Sequence, residues 1–495
     1  MESIIEYLEL SAEKYPKKKA IADAKKSYTY TELKDLASRL ANAFPSGLKK
    51  ASVCVFTSRD ADVAVLFLAT IYSGNYYVPI DPDMPATKKQ AIIDDSGTEL
   101  ILGTEETRGL LEDVNFSGEF LTLSDAADIP ADIPGISKDD PLYMVYTSGS
   151  TGKPKGVLKS HGSMIDFIET YVDTFDFSSD DVIGNQTPFF FDASAKDFYL
   201  SLKLGATLEI IPTEKFAMPP ELIDYMNEKR ITFISWVPTA LAIVSKLKTF
   251  SFVKPEYLKK VFFVGEVMPM KHLNYWRKNL PDIHYVNLYG QSEIAGVCCY
   301  YKVEGEYPDD SILPMGKPLG NCRIYLVDRD DIIRSPGRIG EIYIASNALA
   351  LKYFNDPQKT TSSFLIKDFG NGPERCFKTG DLAEYDTEGN LLFASRSDFQ
   401  IKHMGRRIEL GEIEVIAGSL PEIQRCCALY DSEKSKIILF TELNSDCSEL
   451  SGRDIQRLLK EKLSSYMLPS KVIIMDTLPI NANGKIDRQK LKEML

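Results

Sequence analysis

Short apolar runs alternate with helical segments through the first two-thirds of the chain, and that alternation restricts it to layered α/β architecture. Ser52-Val53-Cys54-Val55-Phe56 reads as a strand and precedes a helical stretch from Ala61 to Tyr72 that stops at Gly74. Leu100 to Leu102, Leu142 to Tyr146, Thr207 to Ile211, Ile231 to Trp236, Lys260 to Val264 and His284 to Asn287 repeat the pattern, so largely parallel sheets are expected. Open α/β sheets bind ligands beyond the carboxyl ends of their strands, which directs attention to the loops that follow these runs. From Arg323 the texture changes to short strands and turns, giving a β-rich subdomain over about 323–397. Residues 398–495 read as a separate, small α+β domain joined near Asp398. A chain of 495 residues exceeds one ordinary core, in keeping with two domains.

Composition narrows the function classes. A net charge of −13 argues against a general affinity for nucleic acid or anionic membrane, both of which need a basic face. The longest apolar runs, such as Val63 to Ile71, hold about ten residues where a spanning helix needs about 20. The start, Met1-Glu2-Ser3-Ile4-Ile5-Glu6, lacks the basic and apolar regions of a secretory signal, so the expected location is the cytoplasm. Eight cysteines contain no CxxC pair and four histidines stand far apart. Zinc-ligand spacing is therefore missing, and buried reduced thiols are expected.

The strongest chemical signal is Tyr146-Thr147-Ser148-Gly149-Ser150-Thr151-Gly152-Lys153-Pro154-Lys155-Gly156, directly after an expected strand. Its glycines permit close approach of a ligand, while hydroxyls, backbone N–H groups and lysines suit phosphate oxygens. No Gly-Lys-Ser/Thr closes it, so this is not the Walker pattern.

This stretch is similar to the phosphate loop of the adenylate-forming superfamily: acyl-CoA synthetases, firefly-type luciferases and adenylation domains of nonribosomal peptide synthetases. Further motifs resemble that family in its order. They are Tyr77-Val78-Pro79-Ile80-Asp81, Phe191-Asp192-Ala193-Ser194, Asn287-Leu288-Tyr289-Gly290-Gln291-Ser292-Glu293 and Phe377-Lys378-Thr379-Gly380-Asp381-Leu382. Ser395 to Lys402, Arg406 to Glu414 and Asn483-Gly484-Lys485-Ile486-Asp487-Arg488 complete the set. Gln291 departs from the proline common in peptide-synthetase domains.

The resemblance implies ATP and Mg²⁺, with Lys485, Glu293 and Thr151 catalytic and Glu293 holding the metal. It assigns ATP to Thr147, Ser148, Gly149, Ser150, Gly152 and Lys153. Gly265, Asn287, Leu288, Tyr289, Gly290, Gln291, Ser292, Asp381, Phe393, Arg396 and Lys485 complete that set. Tyr289 would stack on adenine, and Asp381, a carboxylate in a rigid turn, would accept the ribose hydroxyls. These residue types suit the reaction, since a carboxylate attacking the α-phosphorus needs fixed positive charge between two anions.

Asp192 matches the position that pairs with an α-ammonium in amino-acid-activating members; the alternative is that it caps a helix starting at Ala193. Alignment to the motifs carries Ala193, Lys196, Ser235, Phe262, Val264, Leu288, Gly296 and Val297 into the substrate pocket. Lys196, one helical turn after Asp192, would either meet a second carboxylate on a glutamate- or aspartate-like substrate or pair locally with Asp192 or Asp197. Phe263 to Pro269 and Asp398 to Lys402 are similar to D-alanine–carrier-protein ligases, which makes a small D-amino acid another candidate. Asp398 would be the hinge, with Lys402 and Gly405 in the thioester step.

The chain stops ten residues after Lys485, so the acceptor is expected on another molecule: a phosphopantetheine thiol on a carrier protein, or else free CoA. Excision from a longer synthetase is the alternative origin. An acyl- or aryl-CoA ligase and a non-catalytic nucleotide-binding scaffold are the competing functions.

Overall fold

The computed structural model describes residues 1–133, 135–147, 154–329, 331–396, 400–444, 447, 449–480 and 486–495. The chain divides into two compact units. Residues 1–82, 95–145 and 156–397 form the first; 83–94, 146–155 and 398–495 form the second. The hinge read at Asp398 lies outside the described residues.

Among the described residues a nine-stranded sheet carries the parallel run Lys19–Ala22, Thr207–Ile210, Val182–Asn185, Phe233–Trp236, Lys260–Val264 and His284–Tyr289. Antiparallel strands close both edges, Ser27–Thr29 at one and Cys299–Lys302 with Lys317–Pro318 at the other. A seven-stranded sheet runs Lys352–Tyr353, Lys155–Ser160, Pro141–Thr147, Tyr76–Ile80, Ser52–Phe56, Leu100–Leu102, Glu119–Leu121. The expected α/β layering with largely parallel sheets is thus found.

Two helices position the chemistry. Asp62–Tyr72 is buried along its whole length, as a helix apolar on every side must be. Its Phe67 stacks on Tyr77 at 4.0 Å and meets Phe198 edge-on at 6.2 Å. Phe198 belongs to the helix Asp192–Leu204, the crossover between the parallel strands Val182–Asn185 and Thr207–Ile210. Gly205 ends that helix at φ +67, a conformation glycine adopts without strain. The helix also touches the seven-stranded sheet, where Tyr199 and Tyr77 share a 2.8 Å hydrogen bond. Its N-terminus therefore sits where side chains of both sheets converge.

The β-rich part is a six-stranded antiparallel sheet built on Pro373–Tyr385, flanked by Gly340–Ser346, Phe364–Asp368 and Leu391–Arg396. One expectation is corrected here. Gly380-Asp381-Leu382 is not a turn: it lies inside that long strand, at an irregularity in the pairing with Gly340–Ser346 where Gly380 takes φ +77. A bulge of this kind re-aims one side chain without ending the strand, and Asp381 is buried as a result.

In the second unit, Gln400–His403 and Arg406–Glu409 form a hairpin. Its two-residue turn, Met404-Gly405, has positive φ at both positions, the backbone that matches the strand twist. A three-stranded sheet, Ile423–Asp431, Lys436–Leu443 and Lys471–Ile474, packs with the helices Leu410–Gly418 and Gly452–Lys460 around its own core. All eight cysteines are free thiols, six of them buried and Cys426 and Cys447 half-buried.

Candidate active site

Asp381 is the centre of the first cluster. Its Oδ2 accepts hydrogen bonds from the Tyr289 hydroxyl and from Gln291 Nε2 (2.5 Å), and its Oδ1 pairs with the Arg396 guanidinium. Four of the residues assigned to ATP thus come together in space, from two sheets. The glutamine that departs from the common proline has a task here, since proline offers no donor to Asp381. The Tyr289 phenol is pushed well up by burial and by the Asp381 charge, so it stays a donor. Asp381→Asn keeps the shape and removes the charge that these donors share. The expected result is a KM for ATP raised roughly 10-fold or more in a protein of unchanged circular dichroism, because hydrogen bonds to a charged group contribute about 1.5–3 kcal/mol.

Glu293 is fully buried and its Oε1 accepts from the Tyr353 hydroxyl at 2.7 Å. Among the described residues no group of three or more His, Cys, Asp and Glu could hold a metal ion. Glu293 is the carboxylate that the resemblance assigns to Mg²⁺, an ion that binds through one or two carboxylates together with waters and substrate phosphates.

Asp192 is the first residue of its helix, and the capping alternative fails: Phe191 is the N-cap and makes no side-chain cap bond. The carboxylate instead accepts from the Tyr143 hydroxyl at 2.8 Å and from Lys159 Nζ at 2.5 Å, both at Oδ1. Lys159 has no exposed side-chain surface and also donates to the Ile294 carbonyl at 3.2 Å. Burial pushes the Asp192 carboxyl up and the Lys159 ammonium down, and each charge opposes the shift of the other. Oδ2 accepts no hydrogen bond among the described residues, and the side chain keeps 14% of its surface open. The motifs did not identify Lys159. Its signal was a lysine in the fully buried part of the strand Lys155–Ser160, where an unpaired charge would be untenable.

Lys196 takes the second of its two expected courses. It pairs with its neighbour Asp197, and both side chains are almost completely buried. Ser235 and Phe262 sit opposite one another on adjacent parallel strands, and Phe262 packs against Phe175 and Phe177. Leu288 and Val297 are buried in the main core, with Ala193 and Val264 half-buried. Gly296 has φ +68, and a Cβ there would lie 2.1 Å from the Phe167 ring. Gly296→Ala is therefore expected to lose about 1–3 kcal/mol or more of stability in urea denaturation, as overpacking and a left-handed backbone both oppose it.

Gly290 is required as glycine too, since its Cβ would meet the Gly296 carbonyl oxygen at 2.6 Å. Gly265 adopts φ +102. Asn287 donates to the Pro314 carbonyl at 2.7 Å, Ser292 is half-buried, and Phe393 packs against the core from the strand Leu391–Arg396. Thr147 Oγ1 is buried with no hydrogen-bond partner among the described residues. Lys402 lies opposite Arg407 across the hairpin, two residues before its Met404-Gly405 turn. Ser148, Gly149, Ser150, Thr151, Gly152, Lys153 and Lys485 lie outside the described residues. The ends flanking Lys485 are nonetheless anchored. Ile480 and Ile486 form an antiparallel bridge, and Arg488 forks onto both oxygens of Glu414 at 2.5 and 2.6 Å.

Comparison with known proteins identifies the family of the chain as a whole. Residues 8–354 match the AMP-binding enzyme family and residues 412–485 its C-terminal domain. Zwittermicin A synthase ZmaJ of Bacillus cereus is 30% identical over 96% of this chain and 92% of its own length. A linear gramicidin synthase and tyrocidine synthase 1, both of Brevibacillus parabrevis, are 32% and 30% identical over 98% and 99% of the chain. The chain spans only 9% and 45% of those two proteins. Among solved structures, an NRPS protein containing adenylation and PCP domains superposes with a TM-score of 0.86 at 22% identity, covering 100% of this chain and 84% of that one. The Vibrio cholerae adenylation domain AlmE, in complex with glycyl-adenosine-5′-phosphate, superposes at 0.85 and 19% identity, covering 99% and 97%. The chain belongs to the AMP-binding enzyme family, the superfamily of adenylate-forming enzymes.

Proposed function

We propose that this chain activates an amino acid with ATP, forming aminoacyl-AMP and pyrophosphate, and passes the aminoacyl group to a phosphopantetheine thiol of a separate carrier protein. The observation that carries the amino-acid part is Asp192. A half-buried carboxylate has one oxygen occupied by Tyr143 and Lys159, and its other oxygen makes no hydrogen bond among the described residues. Lys159 favours the ionised form against burial, and Oδ2 is left to accept from an α-ammonium. Likeness to an adenylation domain in complex with glycyl-adenosine-5′-phosphate supports the same substrate class, and likeness to an NRPS protein containing adenylation and PCP domains supports a carrier as acceptor. A cytoplasmic location belongs to the same proposal. Among the described residues no helix is long and apolar enough to cross a membrane.

In this reading Asp381 accepts the ribose hydroxyls while Tyr289, Gln291 and Arg396 hold it in place. Residues 148–153 surround the phosphates, and Lys485 supplies positive charge beside the attacking carboxylate and the α-phosphate. Glu293 would hold Mg²⁺, which when bound offsets phosphate charge. The oxygen of the substrate carboxylate bonds to the α-phosphorus and pyrophosphate leaves. The thiol then displaces AMP, and a thioester forms.

Amino-acid-dependent ATP–pyrophosphate exchange, run over L- and D-amino acids, aryl acids and fatty acids, tests the reading. Exchange confined to amino acids and abolished by EDTA is expected. Exchange with aryl or fatty acids alone would make the protein an acyl- or aryl-CoA ligase instead.

A further inference from the structure

Beside the Lys196–Asp197 pair lies a group of buried polar atoms that the protein itself leaves unsatisfied. Asn185 Nδ2 and Oδ1, Ser235 Oγ, the Tyr171 hydroxyl and Asp197 Oδ2 have no hydrogen-bond partner among the described residues. Each of these side chains is more than nine-tenths buried: Asn185 and Tyr171 0% exposed, Asp197 1%, Ser235 2%. They belong together. Asn185 ends the strand Val182–Asn185, and the register Ile234↔Gly184 carries Ser235 beside it. The Asn185 amide favours the ionised form of Asp197 without closing a bond of good geometry to it, and the Asp197 charge acts on the Tyr171 phenol. Lys196 Nζ stands 6.0 Å from the Tyr171 ring, whose edge faces Phe262 at 6.3 Å.

An unmade hydrogen bond in an interior is costly, so these atoms, beyond what Asn185 and Asp197 exchange with each other, need an occupant. Their position is informative, because Lys196, Ser235 and Phe262 are residues that the motif alignment assigns to the substrate pocket. Their charge is informative too. Lys196 and Asp197 cancel, so a carboxylate entering the group would meet Asp197 and an ammonium would meet Lys196, each with its partner already taken. The remaining groups are an amide and two hydroxyls, which offer donors and acceptors in balance.

We propose that this nest receives the substrate side chain, and that the activated amino acid carries an uncharged hydrogen-bonding side chain, a hydroxyl or a carboxamide. The inference rests on the amino-acid reading above and replaces the acidic side chain that an unpaired Lys196 would have favoured.

The test compares kcat/KM in pyrophosphate exchange between near-isosteres: threonine against valine, asparagine against leucine, glutamine against methionine. Serine, aspartate, glutamate, lysine and D-alanine are run beside them, with both enantiomers of each amino acid. One hydroxyl or carboxamide amino acid is expected to lead, and to exceed its apolar counterpart roughly 100-fold or more, because a site built to bond a polar group rejects the analogue that lacks it. Ser235→Ala is expected to shrink that ratio about 10-fold through the amino-acid terms, with the KM for ATP unchanged. Asn185→Leu should act in the same direction, and Ser235→Ala alone decides the matter if that variant does not fold. A lead by D-alanine, by another apolar amino acid or by a charged one overturns the inference and leaves the amino-acid reading standing. Equal rates for isosteres, insensitive to Ser235→Ala, mean that the nest holds ordered water alone, and also overturn it. Exchange with aryl or fatty acids only removes both readings together.

Discussion

Asp192→Asn is expected to abolish amino-acid-dependent pyrophosphate exchange while ATP still binds, and to lower stability as well. The two effects have different causes. Lys159 is buried against Asp192, so removing the carboxylate charge leaves an ammonium without its counter-ion, at a cost of about 3–5 kcal/mol. Loss of exchange arises separately, because Oδ2 no longer offers an anion to the α-ammonium. The double variant Asp192→Asn/Lys159→Met separates them, since removing both charges restores a neutral interior. Urea denaturation should return most of the lost stability, and exchange should remain absent. Recovery of exchange together with stability would show that Asp192 serves folding alone.

Lys485→Ala should lose adenylate formation by roughly 10²–10³-fold, the typical consequence of removing one group aimed at charge that develops in a transition state. Neutralisation matters here because the attacking carboxylate and the α-phosphate repel each other. The second half-reaction has no such clash of anions, so supplied aminoacyl-adenylate should still transfer to carrier at near wild-type rate. Among the described residues nearby, Ile480 bridges Ile486 and Arg488 pairs with Glu414. Unchanged circular dichroism in the variant is the control that makes reduced activity a report of chemistry. Single-turnover measurement of each half-reaction decides the point, and equal loss of both would remove Lys485 from its assigned role.

Much of the fold was legible because periodicity carries it. The strand read at Ser52–Phe56 and the helix after it are found as Ser52–Phe56 and Asp62–Tyr72, since both are buried apolar runs bounded by turn residues. The thirteen-residue strand Pro373–Tyr385 was harder to see. Thr379-Gly380-Asp381 has turn chemistry, and only pairing with strands on both sides shows that a bulge, not a turn, lies there. In the site, the motifs named both members of the Asp381–Arg396 pair but only one member of the Asp192–Lys159 pair. Asp192 stands in a motif, whereas Lys159 comes from a strand 33 positions earlier and meets it only through the sheet. Tyr353 reaches Glu293 across 60 positions for the same reason. Gln291 looked like a loosened motif until its bond to Asp381, 90 positions away, gave it a purpose. Partners distant in sequence have no local signature, and burial, which makes them necessary, is a property of the folded chain.

The central claim is that a substrate carboxylate attacks the α-phosphorus of ATP. Its most direct test is the fate of carboxylate oxygen. An amino acid labelled with ¹⁸O in both carboxylate positions, turned over with ATP and a thiol acceptor, should yield AMP carrying one ¹⁸O and pyrophosphate carrying none, read by mass spectrometry. AMP without label, or label in orthophosphate beside ADP, would mean that no acyl-adenylate forms and would contradict the account.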